Sequence, residues 1–261
     1  MTNKTLDSLF DFGKTESEKL IFKAISDIQN TISSLVLGFP ETKGGFIPNT
    51  EANLEYMSVI YNDMLKLANS QGYTDAVTYA IQQEGEVVKQ VKQALQKGGI
   101  AVNFSPVTQA SFNLFQKQKY DYLMNLSSRA INAVKESTLN AVLGSSDISS
   151  LINNIQLELG NKMGRYASTY LETSRGQLIQ STQDWVAEDM IAEGQQVYWE
   201  YFGPMDNITR EECVEALNKR YFTNDEKNEF MNGGIFPHTE PRWNCRHSFI
   251  LITAEEYNSE T

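Results

Sequence analysis

Two short runs rich in aromatic and β-branched residues, Gln196–Phe202 and His247–Ile252, set the strongest constraint on how this chain can fold. Side chains of this kind suit a pleated, half-buried surface, so each run reads as a strand. A lone strand leaves its backbone N–H and C=O groups without partners. The two are therefore expected to pair antiparallel and to bring the ends of the intervening segment together. Nearly everything before them carries apolar residues at helical spacing. The expected class is α+β, with a mostly helical N-terminal region and a small C-terminal domain of helices and a short antiparallel sheet.

The helical part can be followed by its breaks. Thr15 and Glu18 have the form of a capping box. Ile21, Ala24, Ile25, Ile28, Ile32 and Leu35 then make one apolar stripe, which Gly38-Phe-Pro40 stops. A second helix is expected from about Thr50 to Gln71-Gly72, and a third from Thr74 to Gly98-Gly99. Ile100 to Pro106 reads as extended. Val107 to Leu143 is helical again, and its aromatic residues Phe112, Phe115, Tyr120 and Tyr122 read as core. Gly144–Asp147 breaks the chain and caps a short helix to about Leu159. Gly160 to Gly164 is a further break, and a long helix runs from Arg165 to Glu193. Between the two strands, Thr209/Glu212 and Thr223/Glu226 form capping boxes for two short helices. The boundaries this implies are a helical N-terminal region over 1–100, a helical connecting region over 101–164 and a C-terminal domain over 165–261.

Charge narrows the partners. The chain carries a net charge of −11, and residues 165–261 hold 8 Lys/Arg against 17 Asp/Glu. Broad contact with a phosphate backbone needs clustered cations, and only Lys162, Arg165 and Arg175 offer themselves. No apolar run approaches the ~18 residues needed to span a bilayer. The N-terminus lacks a basic segment followed by an apolar one, so neither membrane insertion nor a secretory leader is expected. Two cysteines in 261 residues do not make a disulfide scaffold.

Both cysteines and both histidines fall between the strands or at their edge: Cys213, His238, Cys245 and His247. Two thiols and two imidazoles suffice for a tetrahedral structural zinc, although the spacing is not that of a zinc finger. A disulfide between Cys213 and Cys245, and plain packing, are the other readings of the same residues. Asp206, Thr209 and Arg210 lie in the turn after the first strand, and Arg246 flanks Cys245. An Asp–Arg bridge across the paired strand ends is the structural role expected of them. No nucleotide-binding, zinc-protease or serine-hydrolase motif is present.

The order of these pieces resembles the Mu F-like phage head morphogenesis (minor head protein) family. Those that carry the resemblance are the long helix Arg165–Glu193, the aromatic strand Val197–Tyr201, Asp206-Asn-Ile-Thr-Arg-Glu-Glu-Cys213, Leu217-Asn-Lys-Arg-Tyr-Phe222, and Trp243-Asn-Cys-Arg-His247. They cover roughly residues 165–252. Arg242 stands where the family has a histidine, His247 where it has a last cysteine, and Asn218 where it has a glycine. In the long helix only Glu172 matches the family's Arg-Thr-Glu signature. The first of these changes removes a ligand from any metal site shared by the family, and the second keeps one.

The resemblance implies a virion component of a tailed phage or prophage, made in the bacterial cytoplasm and carried in the phage head. It would associate with the portal vertex or head interior and act in head assembly, DNA packaging or DNA ejection. Its partners would be the portal protein, other head proteins and packaged double-stranded DNA. Asp206, Thr209, Arg210, Trp243, Asn244 and Arg246 would be motif residues without a catalytic role. The alternative from the residues alone is a small metal-dependent or toxin-like enzyme built on the C-terminal Cys/His/Asp cluster. That alternative requires an open coordination position and a general base, for which Glu212 and Glu240 are the candidates.

Overall fold

A computed structural model describes residues 16–207, 209–231 and 247–260. The fold is α+β: the described residues are mostly helical, with a small three-stranded antiparallel sheet. The helices are α1 (Glu16–Leu37), α2 (Glu51–Leu67), α3 (Gln71–Lys97), α4 (Pro106–Leu143), α5 (Ile148–Ile155) and α6 (Gly164–Ala192). The C-terminal part follows as β1 (Tyr198–Phe202), α7 (Glu211–Lys219), β2 (Tyr221–Thr223), α8 (Asn224–Phe230), β3 (Ser248–Ile252) and α9 (Ala254–Glu260). None of the described helices is long and apolar enough to cross a membrane.

Two compact units share the chain, interleaved in sequence. One contains Lys14–Gln83 and Gln116–Leu171, the other Glu84–Phe115 and Glu172–Thr261. The divisions fall inside α3, α4 and α6.

In the first unit the apolar stripe of α1 packs with Met57, Ile60 and Met64 of α2, Leu123 and Ile131 of α4, and Leu151 and Ile155 of α5. Buried polar groups are matched. Tyr73 donates to the Leu123 carbonyl at 2.9 Å, and burial holds its phenol far above the usual range. Asn53, fully buried, donates to the carbonyls of Glu41 and Pro48 and accepts from the Glu41 amide. It thereby fixes the loop that follows α1.

Two expected breaks are not breaks. Gln71 and Gly72 belong to the first turn of α3, and α2 ends earlier, at Leu67. Gly160 and Gly164 lie in continuous helix: residues Gln156–Met163 form a π-helical segment that joins α5 to α6 without interruption. The glycines serve packing. A Cβ on Gly160 would stand 2.7 Å from the Gln29 Oε1, and one on Gly164 would stand 3.2 Å from the Phe22 ring. They mark where α1 comes closest to the widened turn, a use of glycine that keeps the helix intact.

In the second unit the sheet has the order β2-β1-β3. The two expected strands pair antiparallel, with Tyr198 opposite Ile252 and Phe202 opposite Ser248. The short third strand, β2, pairs with β1 from Glu200/Tyr221 to Tyr198/Thr223. On one face Tyr201, Phe222 and Phe249 meet Phe230 of α8 in a set of edge-on and tilted ring contacts, and Trp199 joins the set edge-on to Phe249. On the other face Tyr198 stacks on Tyr257 of α9 at 4.3 Å, and Glu200, 2% exposed, accepts from the Arg220 Nε at 2.8 Å. With both faces covered, β1 is the buried centre of this unit.

Candidate functional site

The ends of β1 and β3 form a corner where His247 meets the turn that follows β1. Phe202 pairs with Ser248, so Gly203 and His247 follow and precede that last pair. Glycine is required here. A Cβ on residue 203 would stand 2.9 Å from the His247 Cα and 2.8 Å from its ring Cγ. The His247 Nε2 donates to the Pro204 carbonyl at 2.8 Å, which places the ring proton on Nε2. The same ring stacks on Tyr201, nearly parallel, at 5.7 Å.

Thr209 closes the corner. Its hydroxyl accepts from the Asp206 amide at 2.8 Å and lies 3.2 Å from the Pro204 carbonyl and 3.1 Å from the Asp206 carboxylate. A hydroxyl committed to this turn cannot also cap a helix. The expected Thr209/Glu212 capping box is accordingly absent, and Arg210 occupies the N-cap of α7 with no side-chain cap. The Thr223/Glu226 box is present at α8, as expected. Gly203→Ala should push His247 out of the corner and cost about 1–3 kcal/mol, as over-packing does. Chemical denaturation and the His247 ring resonances would measure both effects.

Of the four candidate metal ligands, Cys213 and His247 are described. Cys213 is 2% exposed and packs in the sheet core with Ala216. His247 is held at the corner as above. His238 and Cys245 lie outside the described residues, as do Trp243, Asn244 and Arg246. Among the described residues no group of three or more His, Cys, Asp and Glu is placed to hold a metal ion. Of the suggested phosphate contacts, Lys162 donates to Glu158 at 2.5 Å and Arg165 lies over the Tyr166 ring.

A second assembly lies under the sheet and has no counterpart in the sequence reading. Lys227 of α8 is 5% exposed. Its ammonium donates to the Asp184 carboxylate of α6 at 2.5 Å and sits 3.6 Å from the Trp199 ring centre. The Trp199 indole N–H donates to Asn224. Beside them is a cavity of about 340 Å³ lined by residues of α6, β1 and α8, including Glu188 one helical turn beyond Asp184. The only advance signal was the four-residue spacing of Asp184 and Glu188. Nothing in α8 announces that its lysine is buried.

Burial pushes the Glu188 carboxyl above the usual range, and Asp184 and Asp189 push it further, while Lys227 opposes them. A raised folded pKa means that ionised Glu188 costs stability at neutral pH. That cost disappears as pH falls through the raised value towards the unfolded one. Glu188→Gln should therefore stabilise at pH 7, with the gain vanishing at acid pH. Because Glu188 is exposed on its outer side, solvent screening limits the gain to roughly a few tenths of a kcal/mol. Paired thermal melts at neutral and acid pH would read it.

No protein-family model, curated protein or solved structure matches the chain.

Proposed function

We propose that this chain is a minor head protein of the Mu F-like kind, a virion component of a tailed phage or prophage. In this reading it is synthesised in the bacterial cytoplasm and carried in the head, at the portal vertex or inside the shell. It serves head assembly, DNA packaging or DNA ejection through protein contacts and not through catalysis. The observation that carries the reading is the ordered set of pieces from α6 to β3. A long helix leads into an aromatic strand, then Asp206–Cys213, then Leu217–Phe222, then Trp243–His247 ahead of the last strand. Support also comes from the corner: the antiparallel pairing of β1 with β3 and the His247–Pro204 bond bring His247 to the turn that holds Asp206.

The portal and other head proteins are the proposed partners. The acidic C-terminal part favours protein contact over wide contact with packaged DNA. The test is quantitative mass spectrometry of purified DNA-filled particles from the phage or induced prophage whose genome carries this sequence. A few copies per portal are expected. Absence from particles, with the chain present in the same lysate, would sink the reading. Metal analysis of the isolated protein would show separately whether Cys213, His238, Cys245 and His247 hold a zinc.

A further inference from the structure

Two helices of the first unit leave apolar side chains uncovered in the same place. Beside the core row of α2 runs a second row, Leu54, Ser58, Tyr61 and Leu65, spaced four, three and four apart. That is the spacing of a coiled-coil seam. α4 lies antiparallel alongside. The Ser127 hydroxyl donates to the Ala68 carbonyl at one end, Lys135 sits over the Tyr61 ring in the middle, and the Asn49 amide donates to the Ser145 hydroxyl at the other. Leu139 and Leu143 follow Lys135 at one-turn intervals, which brings them level with Leu54 and extends the face. The five large apolar residues are between 38% and 52% exposed.

The face has the size of an interface. A large side chain has roughly 200 Å² to bury, so these five leave on the order of 400 Å² of apolar surface open. A stable pair of proteins takes about 800 Å² from each partner, of which about 60% is apolar. The apolar share of such an interface is what α2 and α4 present.

Its chemistry suits a second copy of itself. Across a two-fold axis the face meets its own duplicate, so strong charge of one sign at its centre would repel the copy. Here the polar residues beside the apolar ones are Ser58, Asn62 and Asn132, whose side chains each donate and accept. Lys135 is 4% exposed, and its ammonium lies 3.5 Å from the Tyr61 ring centre and 3.4 Å from the Asn132 Oδ1. The exposed charges stand at the rim and are divided along α2, with Glu51 and Glu55 at its start and Lys66 near its end. Lys66 bonds Asp63 at 2.8 Å and has donors left for a second carboxylate. A two-fold axis across α2 makes two such helices antiparallel and sets the acidic start of each beside the Lys66 end of the other.

We propose that the α2–α4 face is a dimer interface between two copies of this chain, with α2 packed antiparallel on its duplicate. The inference goes beyond the head-protein reading, and neither depends on the other.

The test is analytical ultracentrifugation of the full chain from about 1 to 100 μM, a range that reads a micromolar Kd. A monomer–dimer equilibrium is expected. Leu54→Glu and Leu139→Glu, on separate helices and at exposed positions, should each weaken it at least about tenfold by burying an unpaired carboxylate. Val59→Glu is the control. Val59 is 61% exposed on the same helix but stands at least about 100° round it from every member of the row, so the dimer should survive. Circular dichroism would establish that each variant folds, and the wild-type and Val59→Glu measurements decide the matter if a leucine variant does not. Three results would overturn the proposal: a wild-type chain that stays monomeric throughout, which would leave the face to a different protein; a dimer unchanged in the folded leucine variants; or a dimer lost as readily in Val59→Glu.

Discussion

Asp184→Asn should destabilise the sheet-containing unit by about 3 kcal/mol, the scale seen when one partner of a buried ion pair is removed. Lys227 is 5% exposed and its ammonium has the Asp184 carboxylate at 2.5 Å as its counter-charge. Asparagine keeps the shape and removes the charge, leaving a cation enclosed by the Trp199 and Phe249 rings. The ring faces return only part of the loss, roughly 0.5–2 kcal/mol for a desolvated cation. Lys227→Met should cost clearly less. It removes the buried charge and retains most of the side-chain volume, and the Asp184 side chain, 24% exposed, can recover hydration. Urea denaturation of both variants gives the comparison. An Asp184→Asn cost below ~1 kcal/mol, or equal costs for the two, would mean that Lys227 reaches water and is not a buried ion.

How much of this arrangement the sequence announces depends on how local the signal is. The strands at Tyr198–Phe202 and Ser248–Ile252 are legible because aromatic and β-branched residues cluster there, and their antiparallel pairing follows from the need to satisfy backbone groups. β2 is not legible. It has only Tyr221, Phe222 and Thr223, placed between two short helices, and pairing with β1 is what makes it a strand. Gly160 and Gly164 mislead for the opposite reason. Glycine is a helix breaker by local propensity, yet here it admits Gln29 and Phe22 from another helix, a demand that appears only once α1 is packed. Likewise nothing local marks residue 83 or 115 as the edge of a packing unit, since the helix pattern runs on through both.

The candidate site divides along the same line. Asp206, Thr209 and His247 stand out in the sequence as polar residues at strand ends, and the structure brings all three to one corner. The use made of Thr209 was not legible, because a capping box and a tight turn draw on the same hydroxyl and only geometry decides between them. The expected Asp–Arg bridge at the strand ends has a counterpart one strand over. Glu200 and Arg220 make it, and Glu200 could not be singled out as buried from an alternating strand pattern when both faces of β1 are covered. The Asp184–Lys227 pair joins residues 43 positions apart and has no motif at all.

Gln183 is where the second large effect should fall. β3 is an outer strand, so its free edge would leave backbone groups without partners. Gln183, fully buried on α6, covers it as a strand would: its Oε1 accepts from the Leu251 amide at 2.9 Å, and its Nε2 donates to the Phe249 carbonyl at 3.2 Å. Gln180 extends the cover by accepting from the Phe249 amide at 3.1 Å and from the Ser248 hydroxyl at 2.7 Å. Gln183→Leu keeps the bulk and strands one buried donor and one buried acceptor, so it should cost about 2–5 kcal/mol. Gln183→Glu separates the two bonds. Its carboxylate can still accept from Leu251 but faces the Phe249 carbonyl with no proton to give. The variant should be unstable at pH 7 and recover as pH falls, because a protonated carboxyl regains a donor. Hydrogen exchange at the Leu251 amide, read with the denaturation midpoint, would measure both. Fast exchange in Gln183→Leu with slow exchange in wild type is the expected pattern. A Leu251 amide that stays protected in Gln183→Leu, at a cost below ~1 kcal/mol, would mean that something other than the glutamine side chain closes this edge.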